Sequence, residues 1–108
     1  MITIEDFKKC DIRIGKVISA EKVAGSEKLV RFIFDVGAGE QRQIIGGLGL
    51  SYPNPETLVG RQMPLVLNLE PRKLMGLESQ GMVMAADNAG VPVVLMPDEE
   101  VPSGSAVQ

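Results

Sequence analysis

Val30, Phe32, Phe34 and Val36 alternate with Arg31 and Asp35, and this two-residue period constrains the chain more than any other feature it carries. Only an extended strand puts every second side chain on one face, so the run predicts a strand with one face buried. Gly37-Ala38-Gly39-Glu40 then supplies a turn into Arg42-Gln43-Ile44-Ile45, which makes the pair a hairpin. Met63, Leu65, Leu67 and Leu69 repeat the alternation, Asp11 to Ala20 is rich in strand formers, and Met82 to Ala86 with Pro92 to Met96 completes the series. Between these runs, Asn54-Pro55-Glu56 followed by Gly60 leaves room for a turn or two of helix.

The order is therefore three strands, a short helix, then two or more strands, which suits a small closed barrel better than a flat sheet with two open edges. The expected fold is all-β: an OB-fold five-stranded β-barrel with short helices and a C-terminal extension. All 108 residues read as a single domain, with a core over residues 11–86 and an acidic extension over 87–108. Thr3 to Lys9 predicts a short helix capped by Thr3, with Ile4 and Phe7 on its apolar side. Residues 12, 14, 18 and 20 are apolar in one phase that also contains Lys16, so a bend or bulge is expected at Gly15. Pro64 and Pro92 predict edge or strand-start positions. Met63, Met84 and Met96 read as core filler, Cys10 as a packing residue, and residues 103–108 as a frayed end.

Composition removes several classes of chemistry. The chain has no histidine, no tryptophan and one cysteine, which excludes imidazole catalysis, zinc held by His or Cys pairs, and an internal disulfide. Met63 to Leu69 and Val91 to Met96 fall far short of the roughly 20 apolar residues that span a bilayer, and Met1 to Asp6 has no signal-peptide pattern. A cytoplasmic, reducing setting with no membrane association is expected. Eleven bases stand against fourteen acids for a net charge of −3. The acidity is local, since residues 87–108 hold no bases and four acids, Asp87, Asp98, Glu99 and Glu100. A polyanion partner therefore depends on the fold gathering the remaining Lys and Arg side chains.

Neither glycine cluster is expected to bind a nucleotide cofactor. Gly46-Gly47-Leu48-Gly49 and Gly76 to Gly81 lack both the G-x-G-x-x-G spacing and the G-K-S/T ending, and they read instead as close packing at a barrel corner. No nucleophile-base pair or metal-ligand spacing is present, so no catalytic residue, cofactor or metal is expected. The segment Asn68 to Met82 is different in kind. It leaves one strand, turns at Pro71, presents Arg72 and Lys73 together, and returns through Ser79 and Gly81 to the next strand. Two cations suit phosphates, and a hydroxyl and amides suit sugars or base edges. The same residues would equally serve as a solvated hairpin.

These residues carry a resemblance to a known family. Asp11-Ile12-Arg13-Ile14-Gly15-Lys16-Val17 resembles the D-x-R-V-G-x-V strand of the tRNA-binding domain family, Glu27-Lys28-Leu29 its D-K-L, and Val59-Gly60-Arg61 its V-G-K. Asn68 to Met82 is similar to its N-L-x-P-R-K-x-x-G-x-x-S-x-G-M, with every fixed letter present. The family occurs as stand-alone dimers and as C-terminal domains or β subunits of methionyl-tRNA synthetases. The resemblance implies a non-catalytic OB-fold that recognises folded tRNA by shape, pairs as a homodimer, and serves an aminoacyl-tRNA synthetase. Carried over by position, Asn68, Arg72, Lys73, Ser79, Gly81 and Met82 line the site, and Lys28 adds charge from the opposite wall.

The chain also departs from the family pattern. H-P-x-A-D-K-L becomes Val23-Ala24-Gly25-Ser26-Glu27-Lys28-Leu29, V-S-G-I becomes Ile45-Gly46-Gly47-Leu48, and Glu70 and Met75 stand where many relatives carry bases. Weaker, strongly salt-dependent binding is expected. Met82 either packs on a splayed base or sugar, or is the first inward residue of its strand. The alternative function is a dimeric protein-interaction or chaperone-like module, motivated by the negative charge. The N-terminal helix and the segment after Ala86 are the candidate dimer surfaces.

Overall fold

The computed structural model describes all 108 residues. A helix, α1 (Ile4–Phe7), precedes three strands, β1 (Ile12–Lys22), β2 (Val30–Asp35) and β3 (Gln41–Gly46). A single 3-10 turn at Pro55–Leu58 leads to β4 (Gln62–Val66), and two short strands follow, β5 (Arg72–Leu74) and β6 (Leu77–Ser79). The chain ends with β7 (Met82–Val83), β8 (Ala85–Asn88) and β9 (Val91–Val94). Five strands form one antiparallel sheet in the order β3-β2-β1-β4-β7, while β5-β6 and β8-β9 are separate hairpins. This is the OB-like all-β barrel the alternation predicts.

The barrel interior follows the two-residue period. Val30, Phe32 and Phe34 are fully buried, joined by Val36, Ile44, Met63 and Leu65, and the rings of Phe32 and Phe34 lie 5.3 Å apart on one face of β2. β1 is shared between two sides of the barrel: Ile12 to Lys16 pair with β4, and Lys16 to Lys22 pair with β2. The bulge that lets it curl is at Ile18, where the register slips between Val17 and Ser19, rather than at Gly15. Gly15 answers a different need, because a Cβ there would stand 2.5 Å from Leu65 Cδ1. It makes room for core packing, and Ile18 faces solvent.

The outer face of β1 and β4 is also covered, which alternation alone does not show. The C-terminal segment runs beside β1 as an extra rung: Gly104 N–H donates to Ile14 O at 2.7 Å, Ile14 N–H to Ser105 O at 2.9 Å, and Val107 N–H to Ile12 O at 2.9 Å. Residues 103–108 are thus bonded to the sheet and not frayed. Ile12 and Ile14 are buried beneath this segment, and Ile14 shares an apolar hollow of about 340 Å³ with Pro64, Leu95, Val101 and Val107. Gln62, only 8% exposed, exchanges both amide bonds with the backbone of Val101, at 2.6 and 3.1 Å.

Several local expectations are corrected. Pro64 lies in an interior strand. Its carbonyl accepts from Met84 N–H, so its missing N–H faces β7, where the ladder has already ended. Met96 is exposed, unlike Met63, and Cys10 is exposed too, because it follows a helix that buries none of its residues. The Thr3 cap does form. Thr3 Oγ1 accepts from Asp6 N–H and Asp6 Oδ2 accepts from Thr3 N–H, both at 3.2 Å. These bonds and the Lys9 ammonium hold the Asp6 carboxyl below its ordinary pKa, the Thr3 N–H being the largest influence. No helix in the structure is long and apolar enough to cross a membrane.

Candidate functional site

The segment Asn68 to Met82 folds as a projecting hairpin. β5 and β6 pair with Arg72 opposite Ser79, Lys73 opposite Glu78 and Leu74 opposite Leu77. The connection is a two-residue turn with φ of +52° at Met75 and +79° at Gly76, the mirror-type geometry that matches the twist of paired strands. Side chains on one strand alternate sides, so Arg72 and Leu74 face one way while Lys73 faces the other with Glu78.

The Arg72 side opens on a cleft of about 420 Å³. Lys28, Gly46, Gly47 and Met82 line it as well, with the buried Ile45 and Leu48 beneath and Pro92 from the C-terminal hairpin. Lys28 is seated there by its surroundings. Its carbonyl accepts from Gly49 N–H at 2.7 Å, and its methylenes lie over Gly47, where a Cβ would meet Lys28 Cε at 3.2 Å. Gly49 is required because a Cβ would run into the carbonyl oxygens of Glu27 and Lys28. The barrel-corner reading of these glycines holds, and their lack of side chains also leaves the depression beside Lys28.

Charge in the cleft has one sign. Seven of the eleven bases are in ion pairs, and the four without one are Lys28, Arg61, Arg72 and Lys73. No Asp or Glu lines the cleft. The acidic residues Asp98, Glu99 and Glu100 line a separate hollow with Lys16 and Gln62. Three of the tail's four acids are therefore held at another hollow, Glu100 paired with Lys16 at 3.2 Å, while Asp87 lies opposite Pro92 in the β8-β9 hairpin. No group of three or more His, Cys, Asp or Glu residues is placed to hold a metal ion.

The seven residues singled out from the sequence divide into three sets. Lys28, Arg72 and Met82 meet in the cleft, with Met82 47% exposed and thus open to solvent instead of filling the core. Lys73 is exposed on the hairpin's other face. Asn68, Ser79 and Gly81 are engaged within the fold. Asn68 Oδ1 accepts from Asp11 N–H at 2.8 Å and Asn68 Nδ2 donates to Lys9 O at 2.6 Å, tying the end of β4 to the segment after α1.

Ser79 and its neighbours close the barrel against the free edge of β3. Ser79 Oγ, 5% exposed, accepts from Ile45 N–H at 3.0 Å and donates to Gly81 O at 3.2 Å. Gln80 N–H donates to Gln43 O at 2.8 Å, and Gln80 Oε1 accepts from Gln43 N–H at 3.0 Å. Arg42 Nη1 donates to Leu67 O and Gln80 O, bracing the base of the hairpin. Gly81 lies where the two edges approach, and a Cβ would meet Val66 O at 2.9 Å and Ile44 Cδ1 at 3.0 Å. These side chains replace the backbone rungs a continuous ladder would supply.

The sequence reading misses the apolar lining from Leu74, Ala85 and Pro92. The last two come from the β8-β9 hairpin, whose position is set by Val94 N–H donating to Tyr52 Oη across 42 residues. It also omits Arg61 as a free cation, although Val59-Gly60-Arg61 marks the position.

Comparison with known proteins is consistent along the chain. Residues 12–106 match the model of the family described as "Putative tRNA binding domain". The chain is 50% identical over 106 residues to methionine–tRNA ligase of Caldanaerobacter subterraneus subsp. tengcongensis; the match covers 98% of this chain and 16% of the ligase. It thus spans about a sixth of the length of such relatives. Among solved structures, the MetRS-related protein from Pyrococcus horikoshii superposes with a TM-score of 0.92 at 36% identity, covering 100% of this chain and 98% of that one. The chaperone CsaA from Bacillus anthracis str. Ames superposes with a TM-score of 0.90 at 33% identity, covering 100% and 99%.

Proposed function

The chain belongs to the tRNA-binding domain family, and from that premise we propose that it binds folded tRNA without catalysing a reaction, as an auxiliary or β-type subunit of a methionyl-tRNA synthetase. The observation that carries this reading is the cleft lined by both Lys28, from the β1–β2 connection, and Arg72, from the β5–β6 hairpin, two cations with no ion-pair partner and no acid in the lining. Its groups bind and orient; Lys and Arg meet phosphates, and Met82 meets a base or sugar. Lys73 extends the positive charge to the hairpin's outer face. Asn68, Ser79 and Gly81 serve the same site by holding its walls.

A homodimer in the cytoplasm completes the reading, because two copies would double a small cationic footprint on one tRNA. The apolar side chains left exposed on α1 and after Ala86, among them Ile4, Val91, Val93, Leu95 and Met96, support those surfaces as the interface. The test is a salt titration of binding to bulk folded tRNA beside a duplex DNA control, with mass in solution recorded in the same buffers. Three phosphate contacts from Lys28, Arg72 and Lys73 predict a log–log slope of about −2 to −3 per chain. Reversing both hairpin bases, Arg72→Glu with Lys73→Glu, abolishes binding; undiminished binding would sink the assignment.

A second reading rests on the likeness to CsaA, a protein named as a chaperone, and on the apolar floor of the cleft. A polypeptide partner would bind with little salt dependence and survive the charge reversal.

A further inference from the structure

The cleft is built for more than a phosphate backbone. Seven of its twelve lining residues are hydrophobic, and an A-form helix presents phosphates, sugars and 2′-hydroxyls outward with its bases stacked inside. Such a surface would leave the half-buried Leu74 and the exposed Met82 facing nothing apolar. An unpaired base offers a flat apolar face of the right kind, and its nucleotide carries a phosphate on either side. Lys28 and Arg72, carried by different elements of the fold, line the same cleft. We infer that the cleft takes one unpaired nucleotide of a folded RNA, its base against Leu74 and Met82 and its flanking phosphates on Lys28 and Arg72.

The inference rests on the tRNA-binding reading and narrows it. A volume of about 420 Å³ lies toward the small end of sites that enclose single small molecules. No Phe or Tyr lines the cleft, so the usual aromatic platform for a splayed base is missing. Met82 supplies the substitute: a thioether makes favourable contacts with an aromatic ring, and at 47% exposure it is accessible from the opening. Pro92 brings the C-terminal hairpin into the lining, so the extension forms part of the site. The walls are pre-set, because Lys28 is held over Gly47 and the base of the hairpin by Arg42 and Ser79, which lowers the ordering cost of binding.

The test is carried out on the full chain with isotope-labelled methionine methyls, six in all, the Met82 signal being assigned from Met82→Leu. Three RNAs are added in turn: bulk tRNA, a stem-loop with unpaired loop nucleotides, and the same stem fully paired. The expected result is that tRNA and the stem-loop both shift the Met82 methyl and leave Met1 and Met96 in place, and that the paired stem binds about tenfold more weakly or worse. Met82→Ala lowers stem-loop affinity about fivefold with an unchanged salt slope, whereas Lys28→Ala reduces the slope by about 0.7. Binding of tRNA with the Met82 signal unmoved, or equal affinity for the paired stem, overturns the nucleotide pocket and leaves tRNA binding standing. Failure to bind any tRNA overturns both. An apolar peptide that shifts Met82 where the stem-loop does not assigns the cleft to a protein partner and overturns the inference.

Discussion

Replacing Ser79 by alanine removes a hydroxyl that lies on the projecting β5-β6 hairpin yet points into the protein. Ser79 and Ile45 are 5% and 6% exposed, so without the hydroxyl the Ile45 N–H, now bonded at 3.0 Å, has no partner and little access to water. A buried donor left unpaired costs about 1–3 kcal/mol. The carbonyl of Gly81 loses its 3.2 Å bond as well, a smaller penalty because that oxygen is only partly enclosed. A total near 2 kcal/mol, divided by an unfolding entropy of about 0.23 kcal/mol/K for a chain of this size, lowers Tm by about 9 °C. Thermal and urea unfolding followed by circular dichroism measure the loss, and amide exchange locates it, with the Ile45 amide losing protection first. At temperatures well below the transition, tRNA affinity should change by less than about twofold. Unchanged Tm together with an unchanged Ile45 amide would refute the closure role. A large loss of affinity at full stability would show that the hydroxyl meets the ligand directly.

Four further outcomes follow from the same geometry. Arg72→Ala, at an exposed and unpaired position, should leave Tm within about 1 °C while weakening tRNA binding and flattening the salt slope by about 0.7–0.9; a shifted Tm would mean that Arg72 is structural. Gly49→Ala places a methyl against the carbonyl oxygens of Glu27 and Lys28 and should cost about 1–3 kcal/mol in urea unfolding, with Lys28 displaced and binding reduced. Deleting residues 103–108 removes the three backbone bonds to Ile12 and Ile14, an expected loss of about 2–4 kcal/mol, and limited proteolysis should then cleave near the uncovered strand. The capping box at Thr3 is pH-dependent through Asp6, whose carboxyl is held below its ordinary pKa. Its contribution is complete above the unfolded-state pKa and is lost as pH falls through the lower folded-state value, so the protection of the Thr3 amide, corrected for its intrinsic exchange rate, should hold at higher pH and fall through that lower value.

Where one stretch of chain dictates its own geometry, the sequence is legible. Val30 to Val36 must be a strand with Phe32 and Phe34 inward because no helix can face those side chains together. Gly37 to Glu40 must turn, Thr3 must cap, and Pro55 must begin a turn of helix, each through its own backbone or side-chain bonds. The cations were legible in another way. Arg72 and Lys73 follow Pro71 in a segment rich in turn residues, and the family pattern around them identifies the hairpin and pairs it with Lys28.

Only the folded chain decides which groups are free to bind. Asn68 and Ser79 have the chemistry of ligand contacts, and nothing local reveals that the Asn68 amide is taken up by Lys9 and Asp11, 59 and 57 residues away, or the Ser79 hydroxyl by Ile45, 34 residues away. The same holds for the last residues, which look like a loose polar tail until Ile12 and Ile14 present a bare strand edge for them to pair with. Eleven bases are plain in the chain, but their freedom depends on where seven carboxylates come to rest. Periodicity and turn chemistry act over a few residues and can be read along the chain. Satisfaction of hydrogen bonds and pairing of charge depend on partners tens of residues distant, which come within reach only when the barrel closes.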